Sequence, residues 1–239
     1  MLVKRRIKVN IRLAVFTVIF LVLFARLGFW QLDREVEKAT QIARLAENHL
    51  RPPIDLDKLD INNYEDLSGL RIESEGLFLE DKIFLRDNVI FQGKVGFEVL
   101  RVFRTEAGQQ VLANFGFLQG RPDRTMLPDI AELKAPRTAI GEVYSGPWMD
   151  AGGIELYSGW PRVTPTQDPL ENSKALGSEL APFIVRIDTK HPDALPRYWP
   201  RALTKPEKHH AYAIQWFAMA VTLLIFFSVF TIKQNQSDR

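Results

Sequence analysis

The side chains whose types and spacing invite chemistry stand together near the end of the chain: His209, His210, Tyr212 and Trp216. On a helix, His209, Tyr212 and Trp216 lie at offsets of three and seven and share one face. His209 and His210 are neighbours pointing about 100° apart, so they do not grip one metal ion from the same side. A second group, Arg26, Trp30, Arg34 and Lys38, recurs every four residues and sets cations above and below a tryptophan.

Two chemistries fit the first group. One imidazole serves as a single axial ligand of a haem, which needs one nitrogen per face. A porphyrin at this depth lies against Tyr212, Trp216 or Trp30 and offers its propionates to Arg34 or Lys38. Alternatively, a histidine beside a tyrosine anchors and packs at a membrane interface. The Arg and Lys face reads equally as a solvated helix meeting lipid phosphates or as a site for an anionic ligand or partner. His49 and His191 fall in loops with no visible partners and read as surface residues.

Much is excluded. The chain has no cysteine, which removes disulfides, zinc ribbons, thiol nucleophiles and covalent haem attachment through CxxCH. Met1, Met126, Met149 and Met219 are scattered, which argues against a copper carrier. A net charge of +2 does not suggest nucleic acid. No GxSxG, HExxH or GxxxxGK[ST] occurs, and the carboxylates fall at alternating or solvated positions, so no enzyme activity is expected.

The elements that position these residues follow from hydropathy. Ala211 to Ile232 carries no charge and spans about 33 Å as a helix, against a hydrocarbon core of about 30 Å. Lys4, Arg5, Arg6, Lys8 and Arg12 precede a second apolar run, Leu13 to Ala25, extended by Leu27, Phe29 and Trp30. The cationic flank predicts a cytoplasmic N-terminus. A cleaved signal peptide competes with an anchor here, but Ala25-Arg26-Leu27-Gly28 puts an arginine where a cleavage site wants small residues. The short leader before the first span favours a bacterial inner membrane over a mitochondrial one.

The reading is a membrane α+β protein with two transmembrane helices flanking a periplasmic antiparallel β-rich domain. Residues 1–12 form a cytoplasmic tail, 13–30 the first span, 31–51 a helical extension ended by Pro52-Pro53, 52–208 the β domain, 209–232 the second span and 233–239 a cytoplasmic tail. Strands are predicted at Leu70–Gly76, Ile83–Leu85, Phe97–Arg104, Val111–Phe117, Thr138–Tyr144 and Phe183–Ile187 from their alternation. Gly146 to Pro169 reads as irregular, and Leu170 to Leu180 as a helix carrying Gly177.

The motifs then add a family. Leu27-Gly28-Phe29-Trp30-Gln31-Leu32-Asp33-Arg34 with Lys38 resembles the G-x-W-Q-x-x-R-x-x-x-K signature of the SURF1/Shy1 family. His209-His210-Ala211-Tyr212-Ala213-Ile214-Gln215-Trp216-Phe217 resembles its H-x-x-Y-A-x-x-W-[FY] signature. Leu85-Arg86-Asp87-Asn88, Gly93-Lys94-Val95-Gly96-Phe97 and Asn114-Phe115-Gly116-Phe117 fall between them in the family's order. The last departs from Asn-Arg-Gly-Trp, Glu207 stands where an Asn is common, and His210 is an additional imidazole.

The resemblance implies an inner-membrane assembly factor for a haem-copper terminal oxidase, cytochrome c oxidase, with the oxidase's haem-bearing subunit and membrane lipids as partners. It implies haem a as the possible cofactor and His209 as the matching ligand. The alternative it leaves open is a scaffold that stabilises an oxidase intermediate through its periplasmic domain and binds no haem.

Overall fold

The computed structural model describes residues 9–123, 126–148, 159–197, 199 and 205–237. Its elements are α1 (Ile11–Leu50), β1 (Arg71–Phe91), β2 (Lys94–Thr105), β3 (Gln110–Gln119), β4 (Thr138–Tyr144), β5 (Arg162–Thr164), α2 (Pro169–Leu176), β6 (Ile184–Ile187) and α3 (Pro206–Ser237), with short 3₁₀ turns at Leu56–Lys58 and Ile61–Leu67. They divide into two units, one of Met1–Ile42 with Ala202–Arg239, the other Ala43–Arg201.

In the helical unit, α1 begins where the Asn10 side-chain oxygen accepts from the backbone N–H of Arg12 at 3.1 Å and of Leu13 at 3.3 Å. Its less exposed positions include Ala14, Thr17, Leu21, Phe24, Gly28, Gln31, Glu35 and Lys38, spaced alternately three and four apart. The corresponding positions of α3 are His209, Ala213, Trp216, Ala220, Leu223 and Phe227. This seven-residue period builds a coiled-coil-like seam.

Phe24 meets Trp216 with ring centroids 5.8 Å apart and Phe29 meets Phe217 edge-on at 5.3 Å; one heptad further along α1 from Phe24, Gln31 meets His209, one heptad back from Trp216 on α3, so the two helices run antiparallel. Small residues let them approach, Ala213 being 1% exposed. The hydroxyls of Thr17, Thr222 and Ser228 donate to carbonyls four residues back, leaving no polar demand on the surroundings.

Both helices are long and apolar enough to cross a membrane, and only 11% and 6% of their most apolar windows are buried. A core helix of a soluble domain would hide that surface.

In the sheet unit the ladders close a ring, β1–β2–β3–β6–β4–β1, with β5 added beside the second half of β1. Four pairings are antiparallel. Two short ones, β1 with β5 and β3 with β6, are parallel.

Several local expectations are corrected. Leu70–Gly76 and Ile83–Leu85 are not separate strands: β1 runs through both, with a bulge between Phe78 and Ile83 that bends it from β4 toward β5. Asp87-Asn88 is a second irregularity and not a strand end; the turn into β2 comes at Gln92-Gly93, both at positive φ (49° and 76°), as a two-residue hairpin demands. The 146–169 stretch contains β5, and Gly152-Gly153 lie outside the described residues.

Helix α2 stops at Leu176. Asp168 caps its start through Leu170 N, Pro169 takes the first turn, and Gly177 at φ 78° turns the chain out, so this glycine is a terminator and not an insertion.

Alternation along the strands makes two cores. One face carries Phe78, Leu85, Val99, Phe103, Phe115, Phe183 and Ile187, packed against Leu56. The other carries Phe84, Leu100, Val102, Leu112, Leu180 and Ile184, covered by Ala175 and Leu176 of α2 and by Trp160.

Candidate functional site

Two places gather polar side chains that simple packing does not require, one in each unit. In the helical unit, His209 Nδ1 lies 2.8 Å from Gln31 Oε1, and one residue on, His210 Nδ1 lies 2.9 Å from Glu35 Oε2. Gln31 and Glu35 are one turn apart on α1, so both reach the first turn of α3. His209 is half-buried in the seam and His210 is exposed. An amide or carboxylate oxygen only accepts, so each imidazole donates through Nδ1. That leaves the His209 Nε2 lone pair without a partner among the described residues.

The other sequence-predicted site residues are placed as follows. Trp216 sits in the seam against Phe24. Tyr212 is 53% exposed and Trp30 48% exposed, so neither is packed into the seam. Arg34 lies over the Trp30 ring at 5.7 Å and pairs with Glu37 at 2.6 Å. Lys38 bonds Gln41 at 3.0 Å and stands 3.7 Å from the same Glu37. The helix thus meets its own cations with its own carboxylate, through pairs exposed enough to be worth at most about 1 kcal/mol each.

Among the described residues, no group of three or more His, Asp or Glu is set to hold a metal ion. The donor set at His209 is that of a single-imidazole ligand. An imidazole whose Nδ1–H is held by an oxygen and whose Nε2 is open is arranged as a haem's nitrogen ligand would be.

In the sheet unit the second polar cluster centres on Glu98 of β2, whose side chain is 9% exposed. It accepts from Arg86 Nε at 2.9 Å, Asn114 Nδ2 at 2.9 Å and Trp199 Nε1 at 3.3 Å. Asn114 also donates to Gln167 and accepts from Gly116 N. Gly116 must be a glycine: φ is +114°, and a β-carbon there would come within 2.8 Å of the Leu195 and Pro196 carbonyls. That close approach lets Phe117 N donate to Pro196 O, which holds Leu195 and Pro196 against β3; Trp199, three residues beyond Pro196, reaches Glu98.

Arg186 completes this face. Its guanidinium lies 3.5 Å from the centroid of Tyr144 and 5.3 Å from that of Trp199, and Arg197 flanks Trp199 on its own account at 5.0 Å. Burial lowers the Arg186 pKa, opposed by Tyr144 and Glu98, and burial raises that of the Tyr144 phenol. The arginine stays charged all the same, and the ring faces replace part of its hydration.

Sequence reasoning missed this cluster. The motif segments that contain Arg86 and Asn114 were its only trace, and neither points to Glu98.

His191 is the clearest correction. It is 3% exposed and not a surface residue: Nδ1 accepts from Asp193 N at 3.2 Å, Nε2 donates to Thr138 O at 3.1 Å, and the ring packs edge-on to Phe78 and Phe115. His49 is 38% exposed in its side chain and 3.2 Å from Glu142 Oε2, so it too has a partner.

Comparison with known proteins settles the relationship. The sequence model of the SURF1 family matches residues 18–221, which takes in most of α1, the whole sheet and the first half of α3. The chain belongs to the SURF1 family. A SURF1-like protein of Rickettsia bellii is 29% identical to it over 233 residues, covering 93% of this chain and 90% of the relative. A SURF1-like protein of Rickettsia prowazekii is 26% identical over 228 residues, covering 90% and 87%.

In this SURF1-family chain the signature segments gather at the same two places. Gly28, Gln31, His209, Ala213 and Trp216 form the helical seam. Arg86 and Asn114 meet on Glu98.

Proposed function

We propose that this protein is a non-enzymatic assembly factor for a haem-copper terminal oxidase, cytochrome c oxidase, held in a bacterial inner membrane with both termini cytoplasmic and the sheet unit periplasmic. Haem a is its cofactor, and the haem-bearing oxidase subunit is its partner. Membership of the SURF1 family supports the general role. The haem reading is carried by one observation: Gln31 and His209, from the two ends of the family's signature, meet and leave an imidazole nitrogen open.

In this reading His209 Nε2 would be the nitrogen that holds the haem, and the half-buried Trp216 would give it an apolar wall. Trp30 and Tyr212 provide aromatic faces at the interface. Haem bound here supplies the prosthetic group that the oxidase subunit needs. Arg34 and Lys38, whose exposed pairs with Glu37 are weak, would be the cations that meet the haem's propionates.

The test is a visible spectrum of detergent-purified full-length protein made with a haem a supply, wild type beside His209→Ala, with oxidase activity of the membranes. Haem absorbance lost in the variant together with oxidase activity is expected. No absorbance in wild type, with activity unchanged by His209→Ala, would overturn the carrier reading.

A second reading has its own support: Trp30 and Tyr212 are not packed into the seam, and the sheet unit carries its own buried polar cluster. There the protein is a scaffold that holds an oxidase intermediate through the sheet and binds no haem. Normal haem content but accumulated unassembled subunits in a deletion strain would favour it.

A further inference from the structure

The two adjacent imidazoles are held by different groups. Gln31 is neutral, so its amide oxygen takes the His209 Nδ1–H without bringing a charge; Glu35 is acidic, and holds His210 through a carboxylate. Both partners lie along one stripe of α1, but the His209 pair is part-buried in the seam while the His210 pair faces solvent. An imidazole left to itself exchanges the proton between its two nitrogens, and it is a ligand through Nε2 only while the proton is on Nδ1. The oxygen of Gln31 accepts a hydrogen and has none to give. With the amide turned as it stands, oxygen toward Nδ1, it holds His209 in the one neutral form that presents Nε2.

We propose that Gln31 is the positioning residue of His209: it fixes the Nδ1–H tautomer and the ring's orientation, and so makes His209, and not the adjacent His210, the ligand. This rests on the haem reading above and deepens it. Groups of this kind typically change affinity by about 10- to 100-fold when removed, and their charge tunes the electron density that the imidazole passes to the metal.

The experiment uses full-length protein in detergent with haemin as the probe. Gln31→Leu is expected to weaken haemin binding about 10-fold or more. Gln31→Glu keeps an acceptor oxygen, so binding is expected to survive with the midpoint potential of bound haem lowered. A residue that only packs would lose binding equally in both variants and leave the potential unmoved, which would overturn the proposal. So would haemin binding abolished by His210→Ala but kept in His209→Ala.

A readout without haem separates this proposal from the reading it rests on. Nitrogen-15 spectra of the histidine rings report the tautomer directly. His209 protonated on Nδ1 in wild type, and exchanging between nitrogens in Gln31→Leu, supports the positioning role even if haemin does not bind. A wild-type His209 protonated on Nε2 refutes it.

Discussion

Gly28 of α1 faces the ring of Phe217 on α3 so closely that a β-carbon on Gly28 would lie 2.6 Å from two of its ring carbons. A glycine in mid-helix costs about 1 kcal/mol relative to alanine, and here it admits an aromatic side chain that is also held edge-on by Phe29. Gly28→Val is expected to weaken the helix pair by about 1–3 kcal/mol through overpacking. Gly28→Ala combined with Phe217→Ala should recover most of the loss caused by Gly28→Ala alone. Energy transfer between labels on the two helices in detergent checks this, and a double variant no better than the single would refute the contact.

Removing Glu98 should be severe for the sheet unit. Arg86 is 15% exposed and relies on this carboxylate, and leaving one member of a buried pair alone costs about 3–5 kcal/mol. Glu98→Ala is expected to fall in that range by chemical denaturation followed through tryptophan fluorescence. Glu98→Gln, which keeps acceptor capacity for Asn114 and Trp199, should cost less. Equal losses in both variants would argue against the charge as the important element.

The two histidines outside the helical pair should behave differently. His191→Ala removes a buried ring that joins Asp193 to Thr138, with an expected loss of about 3 kcal/mol. His49→Ala touches a part-exposed pair with Glu142 and should cost no more than about 1 kcal/mol. Thermal unfolding of the two variants side by side separates them.

Acid sensitivity has a definite sign. The Ser74 hydroxyl donates to Asp55 and is the largest influence on it; with the backbone N–H of Asp57 it outweighs the opposing burial, so the carboxyl titrates below its ordinary value of 3.8. A depressed folded pKa means that its contribution is complete above about pH 3.8 and is lost as pH falls through the folded value. Asp55→Asn should lower stability at neutral pH and flatten its decline below pH 3.8. An unchanged acid profile, measured by denaturation at stepped pH, would rule Asp55 out as a contributor.

The two long helices were legible because length and the absence of charge are local properties: Ala211 to Ile232 must be lipid-facing or buried wherever it goes. The strands were legible for the same reason, since alternation repeats every two residues whatever lies alongside. Strand ends were less so. Nothing in Asp87-Asn88 tells a bulge from a turn, because both accept a positive φ at Asn88, and only the ladder to β2 distinguishes them.

By itself the sequence determined the two apolar helices, most of the strands, the family, and the candidacy of His209. Tertiary structure alone decided the partners. Gln31 and His209 are 178 residues apart, Glu98 and Trp199 are 101 apart, and His191 reaches Thr138 across 53. A side chain's own environment is set by which face of its element turns inward and by what the register brings opposite. Those are properties of pairs of segments, and no local periodicity carries them.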